Sequence, residues 1–205
     1  MTININRRTL TVSLSVAAAL VITGTALAAS TADPAVEESP HHPTAHASGD
    51  GGGHVDQQLA QANLATAAYQ DVDVAEANGW LSTLGPGEGS LGCFENPDEG
   101  GMGVHYLNAA LLDHIVDIAA PEALVYELDS NANIAGLVAH EYIVPVDAWT
   151  KNSPPKLFGQ RFHQHPVLPL WILHTWIWKD NPAGMFEDFN PKVRLCPDGV
   201  PVFGE

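Results

Sequence analysis

The sequence predicts an α+β fold: a long N-terminal helix packed on an antiparallel sheet of about four to five strands, in a single domain. Three observations point to it. Residues 57–78 are dominated by Ala, Gln, Leu and acids, with Asp56 placed to cap the start and Gly79 to end the helix in a left-handed turn. Four later runs, residues 102–107, 123–128, 134–144 and 168–178, are rich in Val, Ile, Leu, Tyr and Trp and are separated by turn signals such as Asp129-Ser130-Asn131. No internal repeat is present.

Ahead of this domain, residues 1–28 read as a cleavable export signal. Arg7 and Arg8 form a positive n-region, residues 10–22 an apolar h-region, and Ala26-Leu27-Ala28 a small-x-small cleavage site. The most apolar run, residues 16–22, is far shorter than the ~20 residues a bilayer core demands, so no stable membrane anchor is expected after cleavage. The segment Asn6-Arg7-Arg8-Thr9-Leu10 also resembles a twin-arginine signal, whose pathway carries folded proteins. The expected location is therefore secreted or cell-envelope.

Residues 29–55 read as a disordered linker rich in His, Gly and Pro. Up to residue 53 it holds no aromatic side chain and cannot bury enough surface to offset chain entropy. His41, His42, His46 and His54 lie in it, either as a weak chelating tract for transition metals or as a polar tether. The folded domain is expected over residues 56–205.

Within that domain the helix carries one modest apolar stripe of Leu59, Ala62, Tyr69, Val72 and Ala75 or Ala77, which has to pack on another element. The Gly, Pro, Asn and Asp of residues 82–102 mark a long loop. Short helical turns are expected at residues 111–119 and 145–149. Prolines at 182, 191, 197 and 201 predict an extended wrap over residues 181–205.

Charge narrows the partners. The chain has 24 acids against 8 Lys and Arg, a formal net charge of −16, and residues 29–150 contain no Lys or Arg. So acidic a chain repels phosphate backbones and anionic headgroups, which excludes nucleic acid and leaves metal ions, small ligands or basic partners. In an oxidising compartment Cys93 and Cys196 are expected to form one disulfide holding the chain end.

Four segments carry a resemblance: Gly101-Met102-Gly103-Val104-His105-Tyr106; Pro121-Glu122-Ala123-Leu124-Val125-Tyr126-Glu127; residues 138–145 around Glu141-Tyr142; and His174-Thr175-Trp176-Ile177-Trp178 through Asn181-Pro182-Ala183-Gly184-Met185-Phe186. Together they resemble a family of uncharacterised exported bacterial proteins, over residues 64–196. His140, directly before Glu141, departs from that family's pattern. The resemblance implies export and assigns no activity.

The residues themselves point to a metal. His105, Glu127, Glu141, His163, His165 and His174 fall in or beside the expected strands, and imidazole with carboxylate is the donor set of Zn, Mn, Fe or Cu sites. Period-two alternation puts His105 opposite Val104 and Tyr106, Glu141 on a face with Leu137, Ala139 and Ile143, and His174 on one with Ile172, Trp176 and Trp178. Each polar group interrupts an apolar face. For Glu141 that is costly without a pairing charge or a cation. In a strand, His163-Gln164-His165 would present both imidazoles to one side, which makes His163 a fourth candidate ligand.

The expected function is a secreted protein binding a divalent transition metal through His105, Glu141, His174 and His163. The alternative is a non-catalytic module for a small ligand or a surface, with Trp171, Trp176 and Trp178 lining an apolar pocket. Glu127 with Glu141 is a further carboxylate pair suited to acid/base work. No nucleophile elbow, His-Glu-x-x-His helix, phosphate loop or dinucleotide fingerprint is present, and no reaction is named by the sequence.

Overall fold

The structure, a computed structural model, describes residues 51–82, 92–198 and 202–203. The expected export signal and residues 29–50 of the expected linker lie outside the described residues.

Two helices open the described chain, α1 (Gly51–Thr66) and α2 (Val72–Ala77), joined by a 3-10 turn over Ala67–Gln70. The one long helix expected from Asp56 onward thus starts earlier and is interrupted. Asp71 is the cause: it adopts extended backbone, φ −89° and ψ 112°, and its side chain accepts the amide of Asp73. A self-sufficient N-cap inside a helical run starts a new helix. Gly79 ends α2 at φ 100°, as its left-handed C-cap position predicts.

The sheet has strands β1 (Cys93–Asn96), β2 (Gly100–Leu107), β3 (Ala123–Leu128), β4 (Ile134–Pro145), β7 (His163–Gln164), β8 (Leu170–Thr175) and β9 (Val202–Phe203). Their order is β7-β8-β4-β3-β2-β1-β9, while β5 (Lys156–Leu157) and β6 (Gln160–Arg161) form a separate ribbon. Every pairing is antiparallel except β1 with β9. The fold is α+β as expected, with more strands than the four or five expected because short edge pairs carry little periodicity. Part of the long loop expected at 82–102 is the β1–β2 hairpin.

The other expected turns hold in altered form. Ahead of Pro121, a 3-10 turn covers Ala109–Leu111, and the side chains of Asp113 and Asp117 then accept the amides of Ile115 and Ala119. These local bonds compete with a helix. At 145–149 the amides of Ala148 and Trp149 turn back to the carbonyls of Pro145 and Val146. Beyond residue 180 the chain runs along β2: Asn190 N donates to Gly101 O, and Gly101 N donates to Val193 O. A Cβ on Gly101 would stand 2.3 Å from Arg194 O, so only glycine admits the wrap there. The disulfide Cys93–Cys196, with Cα atoms 5.8 Å apart, closes this wrap as expected.

The two sheet faces have different partners. Val104, Tyr106, Leu124, Tyr126, Leu128 and Leu137 form a core with Ala75 and Trp80, against which Tyr69 and Val72 pack. Tyr126 donates its hydroxyl to Tyr69 O at 2.6 Å and Trp80 Nε1 donates to Pro121 O at 3.1 Å, so the helical segment is held by polar as well as apolar contacts. The opposite face bears His105, Glu141 and His174.

Two β-bulges decide which residues reach that second face. Phe94 pairs with Gly103 while Glu95 pairs with Gly101, leaving Met102 as the extra residue. Val125 pairs with Ala139 while Tyr126 pairs with Leu137, leaving Val138 extra. Each insertion shifts the alternation by one. Leu137, expected beside Glu141, therefore joins the helix-facing core, and Met102 joins the face of His105. Gly103 sits at φ 108° inside the first irregularity, where a Cβ would stand 2.4 Å from Tyr126 O.

Candidate metal centre

The register brings three polar residues from three strands to one place. Glu141 of β4 pairs with His174 of β8 on one side and with Ala123 of β3 on the other. His105 of β2 pairs with Val125, whose partner on β4 is Ala139. His105 thus lies one same-face step from the Glu141 row, and the small Ala123 leaves room between them. One donor atom from each of His105, Glu141 and His174 falls within a mutual distance of 4.8 Å.

All three are buried, His174 at 1% exposure and Glu141 at 7%. His105 Nε2 stands 3.3 Å from Glu141 Oε2, and His174 Nε2 stands 3.7 Å from Oε1. His105 Nδ1 and His174 Nε2 have no hydrogen-bond partner among the described residues. Buried imidazole nitrogens are normally satisfied, so His174 Nε2, which faces Glu141 Oε1 without bonding it, calls for an absent partner.

Asp188 completes the group. Its Oδ1 lies 3.1 Å from His174 Nδ1 and its Oδ2 lies 3.1 Å from His163 Nε2. A proton on His174 Nδ1 fixes the tautomer whose Nε2 lone pair faces Glu141, which is the arrangement of a carboxylate that orients a metal-ligating histidine. Nothing periodic marks Asp188 in the sequence, because residues 181–198 run as turns. The only signal is an acid pair, Glu187-Asp188, set between Phe186 and Phe189.

His163 is not one of the three clustered donors. It sits on β7 and reaches the group only through Asp188. His165 leaves the strand and accepts the amides of Val167 and Leu168 on Nδ1, so the pair does not act as two parallel imidazoles. Glu127 is tied to Lys179 at 2.6 Å and to the amide of Arg194 at 3.2 Å, and it is no second carboxylate for Glu141. His140 faces the other way, with Nε2 at 2.8 Å from Thr66 Oγ1 and 3.3 Å from Trp178 Nε1. His54 is exposed on α1, and His41, His42 and His46 lie outside the described residues.

Electrostatics in the group follow from burial. Desolvation holds His105 near pKa 3, so its imidazole is neutral. Burial pulls His174 down too, but Glu141 and Asp188 on its two sides outweigh it and raise its pKa. Burial pushes Glu141 up, opposed by His174. Burial acts in the same direction on Asp188, yet the hydrogen bonds from His163 and His174 win and hold it well below the ordinary carboxylate range.

The donors form part of the wall of a cavity of about 470 Å³. The remaining lining is apolar apart from His165 and Asp188, and includes Phe94, Leu107, Ile143, Leu168 and Ile172. The tryptophans expected to line a pocket do not line this one. Trp176 is a core anchor donating to Glu187 O at 2.6 Å, Trp171 packs against the core of Tyr142 and Phe158, and Trp178 packs on the helix-facing core. The chain turns after Thr175, where Trp176 N bonds Met185 O, and so Trp178 leaves the face expected for it.

A second buried carboxylate lies beside the site without joining it. Glu122, 2% exposed, accepts the amide of Ile143 at 2.8 Å, and burial raises its pKa to about 8. A group bound more tightly to its proton in the folded state stabilises fully below its unfolded pKa and loses that contribution as pH rises to about 8. Between these limits Glu122 contributes a loss of at most ~1.4 kcal/mol per pH unit. Glu122→Gln keeps the acceptor, so unfolding titrations from acid to mild alkali are expected to show that slope in the parent chain and its loss in the variant.

No family model, curated protein or solved structure matches the chain. Among the described residues, no helix is long and apolar enough to cross a membrane.

Proposed function

We propose that this chain is an exported protein that binds one divalent transition metal through His105, Glu141 and His174, with Asp188 orienting His174. The observation that carries this reading is the convergence of one imidazole nitrogen from each of His105 and His174 and one oxygen of the buried Glu141 within 4.8 Å of one another. Two imidazoles and a carboxylate are the protein donors of open zinc sites and of the facial triads that hold iron. Zinc, iron or manganese therefore fits better than copper held by sulfur, for the only cysteines are in the disulfide. A cation also resolves the cost of burying Glu141.

Export belongs to the same proposal. It is supported by the signal-like residues 1–28 and by the disulfide. Metal analysis of untagged full chain, purified and then offered zinc, iron or manganese, tests the reading. One equivalent per chain is expected, and no uptake of any of them defeats it.

Asp188→Asn offers a finer test. It removes the charge that holds the proton on His174 Nδ1, so metal affinity is expected to fall about 10–100-fold, as it does for other orienting carboxylates. Competition against a chromophoric chelator measures this. Unchanged affinity would leave Asp188 as a structural hydrogen-bond acceptor.

A further inference from the structure

The metal reading leaves the cavity itself unexplained. Three protein donors do not fill the shell of zinc or iron, and among the described residues no fourth protein donor joins the three. The open position faces the cavity, because His105, Glu141 and His174 are part of its wall. Whatever completes the shell must bring its own donor atom through that space.

The wall restricts what this molecule is. Its polar side chains are the three donors, Asp188, whose two oxygens are occupied by His174 and His163, and His165, whose Nδ1 is occupied by the amides of Val167 and Leu168. Among the described residues, no lysine or arginine lines the cavity. Elsewhere Leu107, Leu112, Ile143, Leu170 and Ile172 present only carbon. A polar ligand group set against these side chains would be buried unpaired, at a cost of roughly 1–3 kcal/mol. The cavity also falls in the range of pockets that enclose small organic molecules, ~300–1,000 Å³.

The mouth is apolar as well. Pro166, Val167 and Leu168 line the cavity from the turn between β7 and β8, yet Val167 is 76% and Leu168 49% exposed. The backbone of this turn is pinned by the two amide bonds to His165 Nδ1. Exposed apolar side chains continuous with an apolar cavity mark a path for a ligand of the same character.

We infer that the site takes a small monocarboxylate with an apolar tail, its carboxylate on the metal and its tail lying over the Ile143–Ile172 pair toward the Val167–Leu168 lip. The inference rests on the metal reading. With no lysine or arginine among the described residues of the wall, and with His174 engaged by the metal, the metal is the main attraction for an anionic oxygen donor, and hard or borderline dications accept such donors. Affinity for the anion therefore depends on the metal, and affinity for the tail on the walls.

The test is calorimetric titration of the zinc-loaded full chain with octanoate, acetate and 1-octanol. Octanoate is expected to bind about tenfold or more tightly than either, since several buried methylenes at ~0.8 kcal/mol each add to the metal bond. Leu168→Asp, at the exposed lip, is expected to weaken octanoate about tenfold while leaving one zinc per chain. Octanoate binding equally well with and without zinc, or no better than acetate to a chain that holds zinc, overturns the ligand inference and leaves the metal site standing. A chain that takes up no zinc overturns both.

Discussion

Glu141→Leu is expected to abolish metal binding and, in the same chain, to raise the stability of the metal-free protein. Both effects come from one buried carboxylate. Glu141 is 7% exposed and shares its face with Ala139 and Ile143, and it is surrounded by imidazoles of which His105 is neutral. Without a cation its desolvation is poorly compensated, and replacing buried charged groups by apolar residues of similar volume is often neutral or stabilising by ~1–4 kcal/mol. With metal the sign reverses. Saturating zinc at a thousand times Kd stabilises a folded chain by about 4 kcal/mol, a gain unavailable to a chain that has lost a donor. Thermal unfolding with and without zinc is therefore expected to show a large rise for the parent chain and none for the variant, whose metal-free transition lies at or above the parent's. A variant that still gains stability from zinc would place the metal elsewhere.

Loss of the disulfide is the second large effect. Cys93 and Cys196 are 103 residues apart, so the bond closes nearly the whole sheet into one loop. In the chain-entropy model a loop of that length stabilises by about 4–5 kcal/mol. For a domain of this size Cys93→Ser should lower the melting temperature on the order of 10 °C. The damage also has a direction. Phe94, next to Cys93, packs edge-on against the His105 ring with centroids 4.7 Å apart, and the wrap that Cys196 ends includes Asp188. Reduced protein is thus expected to bind metal more weakly as well as melt earlier. Calorimetry with and without reductant measures the first effect, and chelator competition the second. Identical melting in both states would assign the stability of the wrap to its backbone bonds with Gly101.

Legibility in the sequence tracks the strands. His105, Glu141 and His174 each sit in a run with a two-residue period, and a polar side chain on an apolar face is visible as a break in that period. The central strands β3 and β4 were legible for the same reason. Leu137 was misplaced because a bulge at Val138 adds one residue to the strand, and bulges leave no mark in the hydrophobic pattern. Helix α1 ran into α2 in the pattern because Ala67 and Ala68 are good helix formers; the break comes from Asp71, whose side chain caps the first turn of α2. Asp188 had no periodicity to betray it. It acts through the placement of a turn-rich tail that the disulfide and the glycine at 101 hold against β2. The same holds for His163, whose distance from the three donors is set by Asp188 rather than by its own spacing to His165.

Placing the metal by anomalous diffraction from crystals of the zinc-loaded protein is the most direct measurement. Binding at the three donors requires one strong peak at about 2.0–2.2 Å from a nitrogen of His105, a nitrogen of His174 and an oxygen of Glu141, with Asp188 still bonded to the far nitrogen of His174. A peak bound instead to His163, His165 or a surface carboxylate, with His105 and Glu141 left in contact only with each other, would contradict it.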